Sequence, residues 1–247
     1  MIDSNLFWDT RLQLHWAAQS AAGVGRTLLT PRHDFSHEAF TWSADLHALL
    51  GDGDRRAGIR LRDLTLIVVE GASIVEEFPL DGRTLHDAFS FFGRVCNSDS
   101  LASPPEGMPD HPVVHGAAFH PDSDALRELD RIYANAAMAL DEVRRTEAGA
   151  GPVRCWPHHF DIATLITISG EGESAHTIGA GMTPGDESNR RPYYYVTPWP
   201  YPKERPLPPL SQGAWHTEGW VGAVRPADQD GAVEFLREAI RHCRELV

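Results

Sequence analysis

"VRCWPHHFDIATLITISG", residues 153–170, is the stretch on which the reading of the fold turns. Strand side chains alternate between two faces. Read as one strand over 153–169, the even face carries Trp156, His158, Phe160, Ile162, Ile166 and Ile168. The odd face carries His159, Asp161, Ala163, Leu165 and Thr167. The even face is the apolar one, so His158 is expected at the end of a hydrophobic layer. His159 and Asp161 are expected to converge on a more polar space, whereas the two adjacent imidazoles diverge.

Strand candidates follow at 174–182 and 192–197, then a strand in "AWHTEGWVGAVRP" and a turn at "PADQDG". A last helix has Val233, Leu236, Ile240 and Cys243 on its buried side. Upstream, residues 123–147 place Leu126, Leu129, Ile132, Tyr133, Ala136, Leu140 and Val143 on one helical stripe. Before it, residues 97–121 are rich in Ser, Pro, Asp and Gly and read as a connection. "RTLHDAFSFFGRV" pairs Thr84 with Asp87 three residues on, a capping-box helix start. "GIRLRDLTLIVVEG" and "ASIVEEFPLDG" read as strands joined near Gly71. "EAFTWSADLHALLG" alternates like one half-buried strand, with Asp45 and His47 on its solvent face, and residues 8–22 read as a helix.

Runs of strands between few helices indicate an α+β fold, with antiparallel sheets and flanking helices. The plan strand, acidic turn, amphipathic helix occurs in "EEFPLDGRTLHDAFSFF" and again in "VGAVRPADQDGAVEFLREA". Two related halves are therefore expected, 1–97 and 122–247, joined by 98–121 and packed as one domain.

The chain has 247 residues, 42% hydrophobic and 23% charged, the profile of a globular protein. Its net charge of −13 repels phosphate backbones and anionic lipid, so neither nucleic acid nor membrane is an expected partner. No apolar run approaches the roughly 18 to 20 residues of a spanning helix. The first residues lack the basic and apolar regions of a secretory signal. Cys96, Cys155 and Cys243 are isolated, which fits a reducing, cytoplasmic setting, and the helical positions of Cys96 and Cys243 suit packing. Lys203 is the only lysine, so Schiff-base chemistry would have to use it. Phosphate-cradling glycine loops and the GxSxG elbow are missing.

Three readings of His159 and Asp161 stand side by side: a metal-free acid/base pair, metal ligation, or a polar contact at a strand mouth. His216 and Glu218 repeat the two-residue spacing. If the strands were neighbours, His159, Asp161, His216 and Glu218 would suit zinc, iron or manganese, with His176 a further candidate. Trp156, Asp186, Tyr193 and Tyr195 are the candidate ligand-binding residues, the tyrosines sharing one strand face. The competing class is an interaction module using the Pro/aromatic segment 198–209, with Trp199 and Tyr201.

"LHWAAQ", "WPHHFDIA" and "TPGDESNRRPYYYVTPWP" together resemble the motifs of a bacterial family catalogued as a domain of unknown function. The resemblance covers most of the chain. It implies that Trp156, His159, Phe160, Asp161, Gly185, Asp186, Tyr193, Tyr195 and Trp199 are signature positions, with variation at His158. It carries no activity. The functional expectation is a small-molecule enzyme or ligand-binding protein with a His/Asp-lined pocket.

Overall fold

The computed structural model describes residues 3–202 and 206–247, so Lys203 lies outside them. The fold is α+β, with four helices and two antiparallel sheets among the described residues. The chain forms two compact units. The first comprises residues 1–134 and 155–160, the second 135–154 and 161–247. The connection 98–121 thus belongs to the first unit. The boundary between units falls inside helix α3, Ser123–Thr146.

The first unit is organised by α1, Ser4–Leu28. Asp3 caps it, accepting from the backbone N–H groups of Asn5 and Leu6 and so satisfying donors that have no helical partner. The helix is buried on every side from Thr10 to Val24. Leu14, Ala17, Ala18 and Ala21 supply its apolar contacts. It packs on α2, Leu85–Val95, and on β3, Arg55–Arg60, of a five-stranded sheet. That sheet has the order β1-β2-β3-β4-β5, with β1 Thr41–Ser43, β2 Ala48–Leu50, β4 Thr65–Glu70 and β5 Ser73–Pro79. Leu66, Ile67, Val68 and Val69 of β4 are all buried, so both faces of this strand are covered. Ala48, Leu50, Ile67 and Val69 form one cluster, closed by Leu46 and Ile74.

The capping box of α2 is present as the spacing predicts. Thr84 Oγ1 accepts from Asp87 N at 3.2 Å, and the Asp87 carboxylate accepts from Thr84 N at 2.9 Å. The predicted single strand over "EAFTWSADLHALLG" is instead the β1–β2 hairpin, Thr41 facing Leu50. His47 takes a left-handed φ of 51° and turns the chain back. The alternation is genuine on both sides of this turn, and nothing in a period-two pattern marks where a strand reverses.

The second unit contains the later part of α3 and strands β7 to β11 of a six-stranded sheet of order β10-β11-β9-β8-β7-β6, in which only Arg154 of β6 belongs to this unit. The strands of the sheet are β6 Arg154–Trp156, β7 Asp161–Ser169, β8 His176–Thr183, β9 Tyr193–Trp199, β10 Ala214–His216 and β11 Gly222–Pro226. Helix α4, Ala232–Leu246, packs on β8 and β9 through Phe235, Leu236, Ala239, Ile240 and Cys243. Cys243 is fully buried and burial pushes its thiol up to about 12, in keeping with a packing role. Among the described residues no helix is long and apolar enough to cross a membrane.

Gly58 sits where β3 crosses β2. A methyl group there would stand 2.5 Å from the Leu49 carbonyl oxygen, a backbone atom that cannot move without disturbing the pairing. Gly58→Ala is expected to cost on the order of 2 kcal/mol or more, read as a lower urea midpoint. An unchanged midpoint would contradict this packing.

Candidate functional site

The stretch 153–169 is not one strand. β6 ends at Trp156, β7 begins at Asp161, and residues 157–160 form a turn. Phe160 closes it with a left-handed φ of 59° while fully buried. The alternation argument therefore fails at His158 and His159. Both are exposed on the turn, with ring centroids 4.2 Å apart.

Helix α1 holds this turn through side chains four residues apart, which share one helical face. His15 Nε2 lies 2.8 Å from the Pro157 carbonyl oxygen and Gln19 Nε2 2.6 Å from the same atom. Arg11 Nη2 donates to the His159 carbonyl at 3.3 Å, and Arg11 Nη1 meets His15 Nδ1 at 3.1 Å. The Tyr133 hydroxyl donates to the Phe160 carbonyl. The Phe160 ring stacks on His15 at 5.2 Å. Only one form of His15 fits these partners. Nε2 carries the proton given to Pro157, and Nδ1 accepts from the guanidinium. A second proton would oppose Arg11. Burial foremost, then Arg11, lowers the His15 pKa to about 3.

In the second unit, four of the predicted residues form two tyrosine–aspartate pairs. The Tyr195 hydroxyl donates to Asp161, and the Tyr193 hydroxyl to Asp186 at 2.5 Å. Tyr195 reaches from β9 over β8 to β7, and Gly181 makes this crossing possible. A Cβ at Gly181 would stand 2.6 Å from the Tyr195 ring and 2.8 Å from the Ala163 methyl. Asp186 also accepts from Ser188 N and Asn189 N, both at 2.8 Å, fixing the turn after Gly185. Burial, and then Asp186, raise the Tyr193 pKa, so this hydroxyl stays protonated.

The predicted metal set is not assembled. Asp161 on β7 and His216 on β10 are four strand positions apart, about 19 Å at the usual interstrand spacing. His216 Nε2 instead meets the backbone oxygen of Glu218 at 2.8 Å, and its ring lies against Trp220. Glu218 is exposed, and His176 opens β8. Among the described residues no three His, Cys, Asp or Glu side chains converge to hold an ion. Trp156 is half-buried at the end of β6. Trp199 and Tyr201 are exposed and meet edge to face at 5.2 Å.

Sequence reasoning missed the imidazole–carboxylate pairs that join distant segments, His111 with Asp9 and His47 with Asp130 among them. The His47 side chain stays 40% exposed but pairs with Asp130, its Nδ1 lying 2.8 Å from Asp130 Oδ2. Burial is the main cause that raises the Asp130 pKa. The 83-residue separation gave no local signal. The sequence also gave no sign of an open groove of about 840 Å³ along α2, lined by His86, Phe89, Ser90, Arg94, Asn97 and Ser100.

Comparison with known proteins adds no identity: no family model, curated protein or solved structure matches the chain.

Two predictions follow the buried polar contacts. The unfolded chain protonates His15 near pH 6.5, and the folded chain near 3. Between these values the unfolded state holds one more proton, so stability falls as the pH drops through this window and levels below it. The full loss from this group is on the order of 5 kcal/mol. His15→Gln keeps a donor and an acceptor but cannot titrate, so urea midpoints between pH 4 and 8 should slope less in this variant. Equal slopes would contradict the assignment. Separately, Tyr195→Phe and Asp161→Asn should each destabilise, and the double variant should lose about 1 kcal/mol less than their sum. Strict additivity would mean that the two groups do not interact.

Proposed function

We propose that the chain is a small-molecule-binding protein whose site is the face of the first unit carrying His158 and His159, and that its ligand is anionic. One observation carries this reading. A turn with a strained, buried Phe160 is tied down by Arg11, His15, Gln19 and Tyr133, and the two residues it exposes are imidazoles. Strain of this kind persists only where the surroundings over-determine it, and it clusters at functional sites. All four tethers engage main-chain carbonyls or one another, so they hold the backbone and leave the two rings presented to solvent.

Charge supports the choice of ligand. The Arg11 guanidinium and the imidazoles of His158 and His159 lie close enough for each to weigh against a proton on His15. This gathers a guanidinium and two imidazoles in a chain of net charge −13. Exposed imidazoles can donate to a carboxylate or phosphate oxygen and exchange a proton with it. The same groups would serve an enzyme that moves a proton on such a substrate, with His159 as the base.

The test is a titration of the imidazole carbon–hydrogen resonances with acetate, citrate, inorganic phosphate and glucose 6-phosphate. At least one probe should shift the His158 and His159 signals saturably while leaving those of exposed His33 and His115 in place. Replacing both residues with alanine should weaken binding at least tenfold. Absence of saturable shifts with all four probes, or unchanged affinity in the double variant, would overturn the reading.

A further inference from the structure

We infer that the second unit holds a single oxyanion, a carboxylate or phosphate group, between Arg225 and the start of α4. This site is independent of the imidazole pair and uses other residues.

Arg225 lies on β11 opposite Tyr194 of β9. The row continues through Met182 of β8 to Ile162 of β7, so the arginine extends a line of buried apolar and aromatic side chains on the helix-covered face. It is 2% exposed. Its Nη2 donates to the carbonyl of Asp230. Its Nε and Nη1 are buried and have no hydrogen-bond partner among the described residues. A guanidinium cannot shed its proton at any relevant pH, so burial cannot be relieved as it is for His15. A buried cation with two unmet donors is strongly disfavoured unless an anion meets it.

The contact to Asp230 brings the guanidinium to the residue just before the α4 cap. That cap is Gly231, with a left-handed φ of 91° and no side chain to accept from the first turn. The first helical bond runs from Phe235 N to Gly231 O, so the N–H groups of residues 232–234 lack a helical acceptor. Donors from two elements are thus brought to adjoining residues, Asp230 and the α4 start, and the helix dipole adds positive potential there. Gln212 lies over the same point, its amide atoms 3.4 Å from where a Gly231 Cβ would stand. Two features restrict the ligand. Glu234 Oε2 is 3.6 Å from that same Cβ position, and Asp228 and Asp230 lie on the adjoining turn. These carboxylates would repel a polyphosphate, which leaves one compact oxyanion group as the matching ligand.

The experiment follows the Arg225 Nε–H and the amide N–H resonances of residues 232–234 in the full chain. Inorganic phosphate and acetate are titrated at constant ionic strength, with chloride as reference. One or both should shift these signals saturably, and the same anion should raise the thermal unfolding midpoint. The responsive probe identifies the phosphate or carboxylate class. In Arg225→Met, which keeps the bulk and removes the charge, the midpoint rise should be lost; in Arg237→Ala, an exposed arginine of the same helix, it should persist. Shifts no larger than those in chloride, or an equal rise in Arg225→Met, would overturn the inference. If Arg225→Met does not fold, the wild-type spectra decide alone.

Discussion

The first unit depends on a neutral imidazole. His15 stands between a guanidinium and a main-chain carbonyl, and only the singly protonated ring satisfies both. Arg11, His15 and Gln19 recur at four-residue intervals and so form one polar stripe of α1, committed to the 157–160 turn. Asp9, Gln13 and Trp16 form another. Asp9 meets His111, Gln13 bonds the backbone of His120, and the Trp16 indole donates to the Pro109 carbonyl. The remaining face, with Leu14, Ala17, Ala18 and Ala21, is apolar. One helix therefore supplies the hydrogen-bond partners that two irregular segments cannot supply for themselves. Buried carbonyls and N–H groups without such partners would oppose folding.

The second unit solves its polar problem differently. Two tyrosine hydroxyls meet two aspartates, Tyr195 reaching across the sheet past a glycine to Asp161 and Tyr193 meeting Asp186 in the β8–β9 connection. These pairs fix the turn after Gly185 and the start of β7 without drawing on a helix. Arg225 departs from this pattern, since its buried Nε and Nη1 meet no hydrogen-bond partner among the described residues. That contrast between closed polar pairs and an open cation is what distinguishes a structural contact from a binding group in this unit.

The three motifs of the sequence can now be separated by physical role. The "LHW" and "WPHHF" pieces are two sides of one contact, His15 against Pro157 and Phe160. Asp161 and the "PYYY" tyrosines belong to the second unit's sheet. Trp156, Phe160, Asp161, Asp186, Tyr193 and Tyr195 are thus accounted for by folding contacts or position in the sheet. His158 and His159 are the members whose side chains the arrangement turns outward.

Local pattern was enough wherever a short-range rule governs. The α2 capping box follows from Thr84 and Asp87 alone, and the buried sides of α3 and α4 follow from helical periodicity. The β7, β8 and β9 strands were legible from alternation and the turn residues between them. Periodicity could not reveal where His47 or Phe160 enters left-handed backbone, because that choice is imposed by neighbours distant in sequence. It could not keep His216 from Asp161 either, since strand order belongs to the sheet and not to any strand. Nor could it mark His15 as neutral or Arg225 as buried and unmet. The sequence alone thus determined the helices, most of the strands and the α+β class. Tertiary structure alone decided which polar groups meet, because those meetings join residues up to 148 positions apart and depend on burial that no local window contains.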